Sequence, residues 1–443
     1  MSAGSLRKAV RNFSLLVLLT AFPLAALAQS SFSGSYPLLD DGDVIGYQSR
    51  PPNDLVTALQ RRLDRGQAKL TFQGPRGYLL SVLQQLGVPL SSQTLVFSKT
   101  SAQLRLIGPA NPKALYFNDT VYVGSVPGAD VLEIAAVDPS QGTMFYTLDQ
   151  RREARPKFIR REECLQCHAS PKTVGVPGLL LRSVFPAADG APQLQVDSFF
   201  TDHSSPFHER WGGWYVTGTH GNQRHMGNVW IKDVGHPDRL DLDSGANVTS
   251  LEGRFDLSAY LTPHSDLVAL MILAHQTRLH NLITRVNWET RLALHEQAAR
   301  NEQLGVPADT WSDSARHRIH DAVETLLRYM LFTDETRLDA PVKGTSAFAM
   351  DFAAGGPKDR TGRSLRDLDL NHRMFRYPCS FLIYSKAFDA LPKSALDYFY
   401  RRLWNVLTGK EKDPVFASLT RSDREAILEI LRQTKSGLPS YWY

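Results

Sequence analysis

Ala114-Leu-Tyr-Phe117, Thr120-Val-Tyr-Val123, Val131-Leu-Glu-Ile-Ala-Ala-Val137 and Thr143-Met-Phe-Tyr-Thr-Leu148 follow one another closely in the chain. Each run is rich in β-branched or aromatic residues and is bounded by Gly, Pro, Asn or Asp, the pattern of a strand. Thr94–Phe97 opens the series, and Asn118-Asp119 between two of the runs predicts a tight hairpin. Parallel neighbours need a crossover of a dozen or more residues, usually a helix. No helical pattern separates these runs, so the sheet is expected to be antiparallel and the fold class α+β.

Upstream, Asn53 can cap a helix running to about Arg65, with Leu55, Leu59 and Leu63 four residues apart. A second helix is expected over Arg76–Leu86, stopped by Gly87 and Pro89. Downstream, residues 149–163 form a charged connector, and further strands are expected at Gly178–Phe185, Gln193–Phe199, Trp214–Thr217 and Val229–Ile231. After Pro263 the character becomes helical. Thr262 can cap a long helix reaching about Gln303, ended by Gly305 and Pro307. Shorter helices fit Ser312–Phe332, Ser394–Thr408 and Arg421–Lys435. The chain thus divides into an α+β region (29–150), a strand-rich region (151–262) and a largely helical C-terminal region (263–443).

The 443 residues are 42% hydrophobic and 21% charged, an ordinary globular composition that excludes a coiled coil or a disulfide scaffold. The N-terminus carries Arg7, Lys8 and Arg11, then an apolar run from Phe13 to Leu27 broken by Pro23 and ending Ala26-Leu27-Ala28. That is the pattern of a secretory signal, cleaved after Ala28, and shorter than the roughly 20 residues of a membrane span. The expected location is the periplasm or another exported compartment. Removing residues 1–28 takes three basic residues and no acid, so 50 basic against 45 acidic residues become 47 against 45. The mature charge of +2 calls for no nucleic acid. No later stretch is apolar enough for a transmembrane segment.

Cys164-Leu-Gln-Cys167-His168 is a C-x-x-C-H motif. Two thiols three residues apart can form thioethers to the two vinyl groups of one porphyrin, and the adjacent His168 can supply the proximal iron ligand. A shuffled chain with three cysteines and 13 histidines yields on the order of 0.0004 such motifs. Three other readings stand beside haem. A thioredoxin-like pair lacks its βαβ context. Structural zinc needs a second Cys/His pair. A plain disulfide suits an exported chain. One motif implies one covalently attached haem c.

The motif and the signal together resemble periplasmic c-type cytochromes. Thr201-Asp-His-Ser-Ser-Pro206 and Trp211-Gly-Gly-Trp-Tyr-Val-Thr-Gly-Thr-His-Gly221 are similar to stretches of large exported monohaem proteins. The resemblance implies haem binding and redox function, with Cys164, Cys167 and His168 as the cofactor-binding residues. The chain departs from the small all-helical cytochromes, because strands flank its motif.

Four residues are candidates for the distal ligand. His220, His225 and Met226 share the Gly-flanked loop Thr219–Asn228, with the two histidines ahead of the methionine. His275 is the rival. It falls on one apolar stripe with Val268, Met271, Leu279, Leu282 and Val286, so it should face the interior. His203 reads as a turn residue. Arg210, Arg224, Trp211 and Trp214 could meet haem propionates or the ring edge, or simply pack. Cys379 reads as a buried free thiol.

A haem with two fixed axial ligands suits electron transfer, whereas an open sixth position permits gas or redox sensing, or peroxidase-like catalysis. The expected function is electron transfer by a non-enzymatic carrier, with a donor and an acceptor that the residues do not identify.

Overall fold

The computed structural model describes residues 42–193, 195–233, 235–236 and 239–443. The secretory signal expected at 1–28 lies outside them. The first helices are α1 (Leu55–Asp64) and α2 (Leu79–Leu86). Then come β1 (Thr94–Val96), β2 (Lys113–Phe117), β3 (Val121–Ser125), β4 (Val131–Asp138), β5 (Gly142–Asp149) and β6 (Phe158–Arg160). A one-turn helix α3 (Leu165–His168) precedes β7 (Arg182–Val184), β8 (Ser198–Phe200), β9 (Trp214–Tyr215) and β10 (Gly218–Thr219). The C-terminal part holds α4 (Leu267–Leu304), α5 (Asp313–Met330), β11 (Lys343–Gly344), α6 (Phe348–Ala354), α7 (Lys386–Asp389), α8 (Lys393–Leu407) and α9 (Arg421–Thr434).

The expected antiparallel sheet is present and has seven strands in the order β6-β5-β4-β3-β2-β1-β9. Every neighbouring pair is antiparallel. At the β2–β3 hairpin, Asn118 Oδ1 accepts from Thr120 N at 3.0 Å and Val121 N at 2.8 Å, which closes the turn. The sheet takes β6 and β9 from residues beyond 151, so the α+β and strand-rich regions share it.

Strand alternation and register place Lys113, Leu115, Phe117, Tyr122, Glu133, Ala135, Phe145 and Thr147 on one face. Tyr122 Oη accepts from Gln276 Nε2 at 2.7 Å, so this face meets α4. α4 has 38 residues and spans roughly 57 Å. Its first two turns, Leu267–Ala274, are buried on all sides, and along its length α4 packs against strands β5, β10 and β11 and helices α5, α6, α7 and α8. A helix apolar all round is one enclosed all round. The predicted stripe is buried as expected, and His280, which lies off it, is buried too. No helix among the described residues is long and apolar enough to cross a membrane.

Several boundaries differ from the sequence reading for local reasons. Asp54, not Asn53, caps α1, accepting from Thr57 N at 2.9 Å. α2 begins at Leu79 because Gly74–Arg76 forms a separate 3₁₀ turn. α4 begins after Asp266, not Thr262. The strand expected over Gly178–Phe185 shrinks to Arg182–Val184, because the backbone of Leu179 pairs with the Asn281 side chain instead of a strand. Val229–Ile231 forms no strand.

Candidate haem-attachment site

The motif begins where the charged connector ends. Residues 164–168 close one helical turn, with Cys167 N and His168 N both donating to Cys164 O, at 3.2 and 3.0 Å. Residues three apart on a helix are neighbours on one face. The turn therefore brings the two thiols to the same side. Both are free: Cys164 is half-buried and Cys167 is exposed. Burial, then the nearby Glu163 and Glu133, push the Cys164 thiol above its ordinary pKa.

His168 is held on two sides. Its ring lies 4.8 Å from the ring of Phe145 on β5. Its Nδ1 lies 2.9 Å from Gly178 O. A carbonyl oxygen only accepts, so Nδ1 carries the proton and Nε2 keeps its lone pair. Among the described residues Nε2 has no protein partner, and it is not sealed from solvent. Burial lowers the pKa of His168, which favours the neutral imidazole. A metal-binding histidine needs that form, with its other ring nitrogen anchored by a carbonyl or carboxylate.

The anchor itself is fixed from α4. Asn281 Oδ1 accepts from Leu179 N at 2.9 Å, and Asn281 Nδ2 donates to Leu179 O at 2.8 Å. A Cβ at residue 178 would collide with Asn281, so a glycine is required where the loop crosses the helix. Asn281→Ala leaves both Leu179 groups without partners. It is expected to destabilise the fold by about 2–3 kcal/mol, read from denaturant midpoints. A loss below about 0.5 kcal/mol would show that this anchor is not needed.

These residues meet the requirements of a covalent haem: two accessible thiols one turn apart, and a neutral, oriented imidazole with a free Nε2. Apolar surface lies alongside. Ile159, paired with Thr147 on the same sheet face, is 47% exposed. Leu104 and Leu106 are 48% and 43% exposed. They belong to the loop whose Gln103 donates to Glu133, also on that face, at 2.7 Å.

The four distal candidates sit elsewhere in the polar network. His220 Nδ1 lies 2.9 Å from Gln223 O, and its Nε2 accepts from Asn247 N at 3.0 Å. His225 Nδ1 accepts from Gly227 N at 3.0 Å, and burial pushes its pKa down to about 3. Met226 Sδ accepts from Ser183 Oγ at 3.7 Å. His275 places Nδ1 2.8 Å from His203 Nδ1 and Nε2 2.8 Å from Ser380 Oγ. His220 and His225 do come together, with ring centroids 4.7 Å apart. None of the four shares a hydrogen bond or ring contact with His168 among the described residues. His203 does lie in a turn, as expected. It is buried, and its ring stacks 4.0 Å from Tyr329.

Arg210 is buried and donates to the carbonyls of His203 and Ser205, Arg224 pairs with Asp243, and Trp214 Nε1 donates to Arg182 O. Trp211 is fully buried. None of the partners shown for these side chains is a motif residue. Cys379 is buried as expected, and burial pushes its pKa up to about 12.

Phe145, Gly178 and Asn281 were not singled out by the sequence. The faint signal for them is Gly175-Val-Pro-Gly178, a turn-forming run shortly after the motif. Among the described residues no group of three or more His, Cys, Asp or Glu side chains is arranged to hold a metal ion. A haem needs fewer protein ligands than that. No family model, curated protein or solved structure matches this chain.

Proposed function

We propose that this chain is an exported c-type haem protein that transfers electrons. Cys164 and Cys167 hold one haem covalently, and His168 is the proximal ligand. The observation that carries the reading is the state of His168: Nδ1 anchored on Gly178 O at 2.9 Å, Nε2 free, two accessible thiols one turn away. When bound, the haem supplies an iron that accepts and releases one electron. The chain's own groups do the rest. Gly178 and Asn281 fix the imidazole, Phe145 packs against it, and Leu104, Leu106 and Ile159 offer apolar surface to the macrocycle. Cys167 is exposed, so a haem attached there would be within reach of a redox partner. Export makes the covalent bond useful, since a dissociable cofactor is diluted away outside the cell.

The absorption spectrum of the purified exported protein is the primary test. A Soret band with a pyridine haemochrome of the c type supports the reading, and a chain without a haem chromophore ends it.

One observation favours a second use of the same haem. His220, His225, Met226 and His275 all have protein partners of their own; a haem on His168 that none of them ligated would be open to exogenous ligands, which fits a gas or redox sensor or a peroxidase-like enzyme. On that reading carbon monoxide shifts the Soret band of the dithionite-reduced protein. His220→Gln, His225→Gln, His275→Gln and Met226→Leu then leave the wild-type spin state unchanged. A low-spin spectrum that ignores carbon monoxide, and turns high-spin in one of these variants, would return the protein to simple electron transfer with two fixed ligands.

A further inference from the structure

Lys113 stands on β2 and Glu133 on β4, with β3 between them. Their side chains nevertheless form an ion pair across β3. Gly124 on β3 makes the crossing possible. It is the residue opposite Glu133, and a Cβ there would collide with Lys113 Cε. Mid-strand glycine weakens a strand and often marks a close approach. Here the approach is by a lysine side chain. The pair is further built in by the loop above it. Gln103 Nε2 donates to Glu133 Oε1 at 2.7 Å, and Lys113 Nζ donates to Ser101 Oγ at 3.3 Å. The Lys113 side chain is 7% exposed and that of Glu133 is 24% exposed. Removing two charges this far from water is costly, and such a pair is weak evidence for stability.

The location supplies a reason for it. Thr147 lies opposite Glu133 and Phe145 opposite Ala135, so Glu133 and Phe145 are diagonal neighbours on one face, about 7–8 Å apart. Phe145 carries the His168 ring. Phe145 thus stands between the Glu133–Lys113 pair and the His168 imidazole.

We propose that Glu133 and Lys113 are positioning residues that set the redox potential of the group held by His168, each offsetting the other's field at the iron. The proposal rests on the haem reading of the motif. Reduction adds one electron to the site and lowers its net charge by one. A lone carboxylate nearby favours the ferric form, and a lone ammonium favours the ferrous form.

The test is a spectroelectrochemical titration of the exported full chain, with dithionite as reductant and ferricyanide as oxidant. Glu133→Gln leaves Lys113 unopposed and is expected to raise the ferrous-to-ferric ratio at fixed potential about tenfold, about 59 mV for one electron. Lys113→Met is expected to move it the opposite way, and Glu133→Asp to stay near wild type. Gln103→Lys places a positive charge beside Glu133 from a half-buried loop. It should shift the ratio in the same direction as Glu133→Gln, and it stands in if the sheet variants fail to fold. A merely structural pair would give no opposite-signed shifts. Ratios within about twofold of wild type in all folded variants would overturn the proposal. A wild-type chain without covalent haem would overturn the haem reading and this proposal with it. Haem-bearing variants with unmoved potentials would overturn this proposal alone.

Discussion

Replacing Cys164 and Cys167 together by alanine is expected to leave a haem-stained denaturing gel blank, while wild type stains. Only a covalent link survives denaturation, and on the proposed reading each thiol supplies one of two thioethers. Cys164→Ala and Cys167→Ala singly keep one attachment point, so partial staining is expected from each. Cys379→Ala should stain as wild type does, because its thiol is buried with a pKa pushed up to about 12 and does not react. His168→Ala keeps both thiols and removes the iron ligand. It should therefore change the spectrum far more than the stain. Folding should be nearly indifferent to the double substitution, since neither thiol has a disulfide partner and Cys167 is exposed. A cost within about 0.5 kcal/mol for the apo chain is expected. Each competing reading of the pair has its own outcome. A blank wild-type gel with a mass lower by two hydrogens would point to a Cys164–Cys167 disulfide. A blank gel with bound zinc would point to a metal site.

The contrast between what was legible and what was not follows the range of each interaction. The hairpin at Asn118-Asp119, the strands on either side and the long helix are written in local periodicity, and the structure has them. The class followed directly, because no helix lies between the strands. Cap positions slipped by one to four residues, as at Asp54 and Asp266, where the competing candidate was another good capping residue. The motif was legible because its chemistry is contiguous. Its support was not. Phe145 and Gly178 reach His168 from a strand and a loop, Asn281 fixes that loop from a helix, and nothing in their own neighbourhoods signals a shared target. His275 shows the same limit. Its stripe correctly placed it in the interior, yet the partners that engage it, His203 and Ser380, are far away in sequence.

The largest loss of stability is expected from Asp266→Ala. This fully buried carboxylate does two jobs. Oδ1 caps α4, accepting from Val268 N at 2.9 Å and Ala269 N at 3.0 Å. Oδ2 accepts from Thr345 N, Ser346 N and Ser346 Oγ at 2.8–2.9 Å, clasping the β11 segment to the start of the helix. Alanine removes a cap worth about 1 kcal/mol. It also leaves further donors unsatisfied at about 1–3 kcal/mol each, with partial relief where water enters. A total near 4 kcal/mol is expected, seen as a fall in Tm of about 4–5 °C in a chain of this size. Asp266→Ser separates the jobs, because a serine hydroxyl can cap the helix but does not reach β11, so it should recover only the capping part. Asp266→Asn should do no better than serine, because with its carbonyl on the cap side its amide nitrogen faces the Thr345 and Ser346 N–H groups, donor against donor. If alanine costs less than about 1 kcal/mol, the clasp is not a determinant of the fold. The same variant also separates fold from site. The proposed attachment through Cys164 and Cys167 does not involve the α4 cap, so Asp266→Ala should melt early yet keep its haem stain.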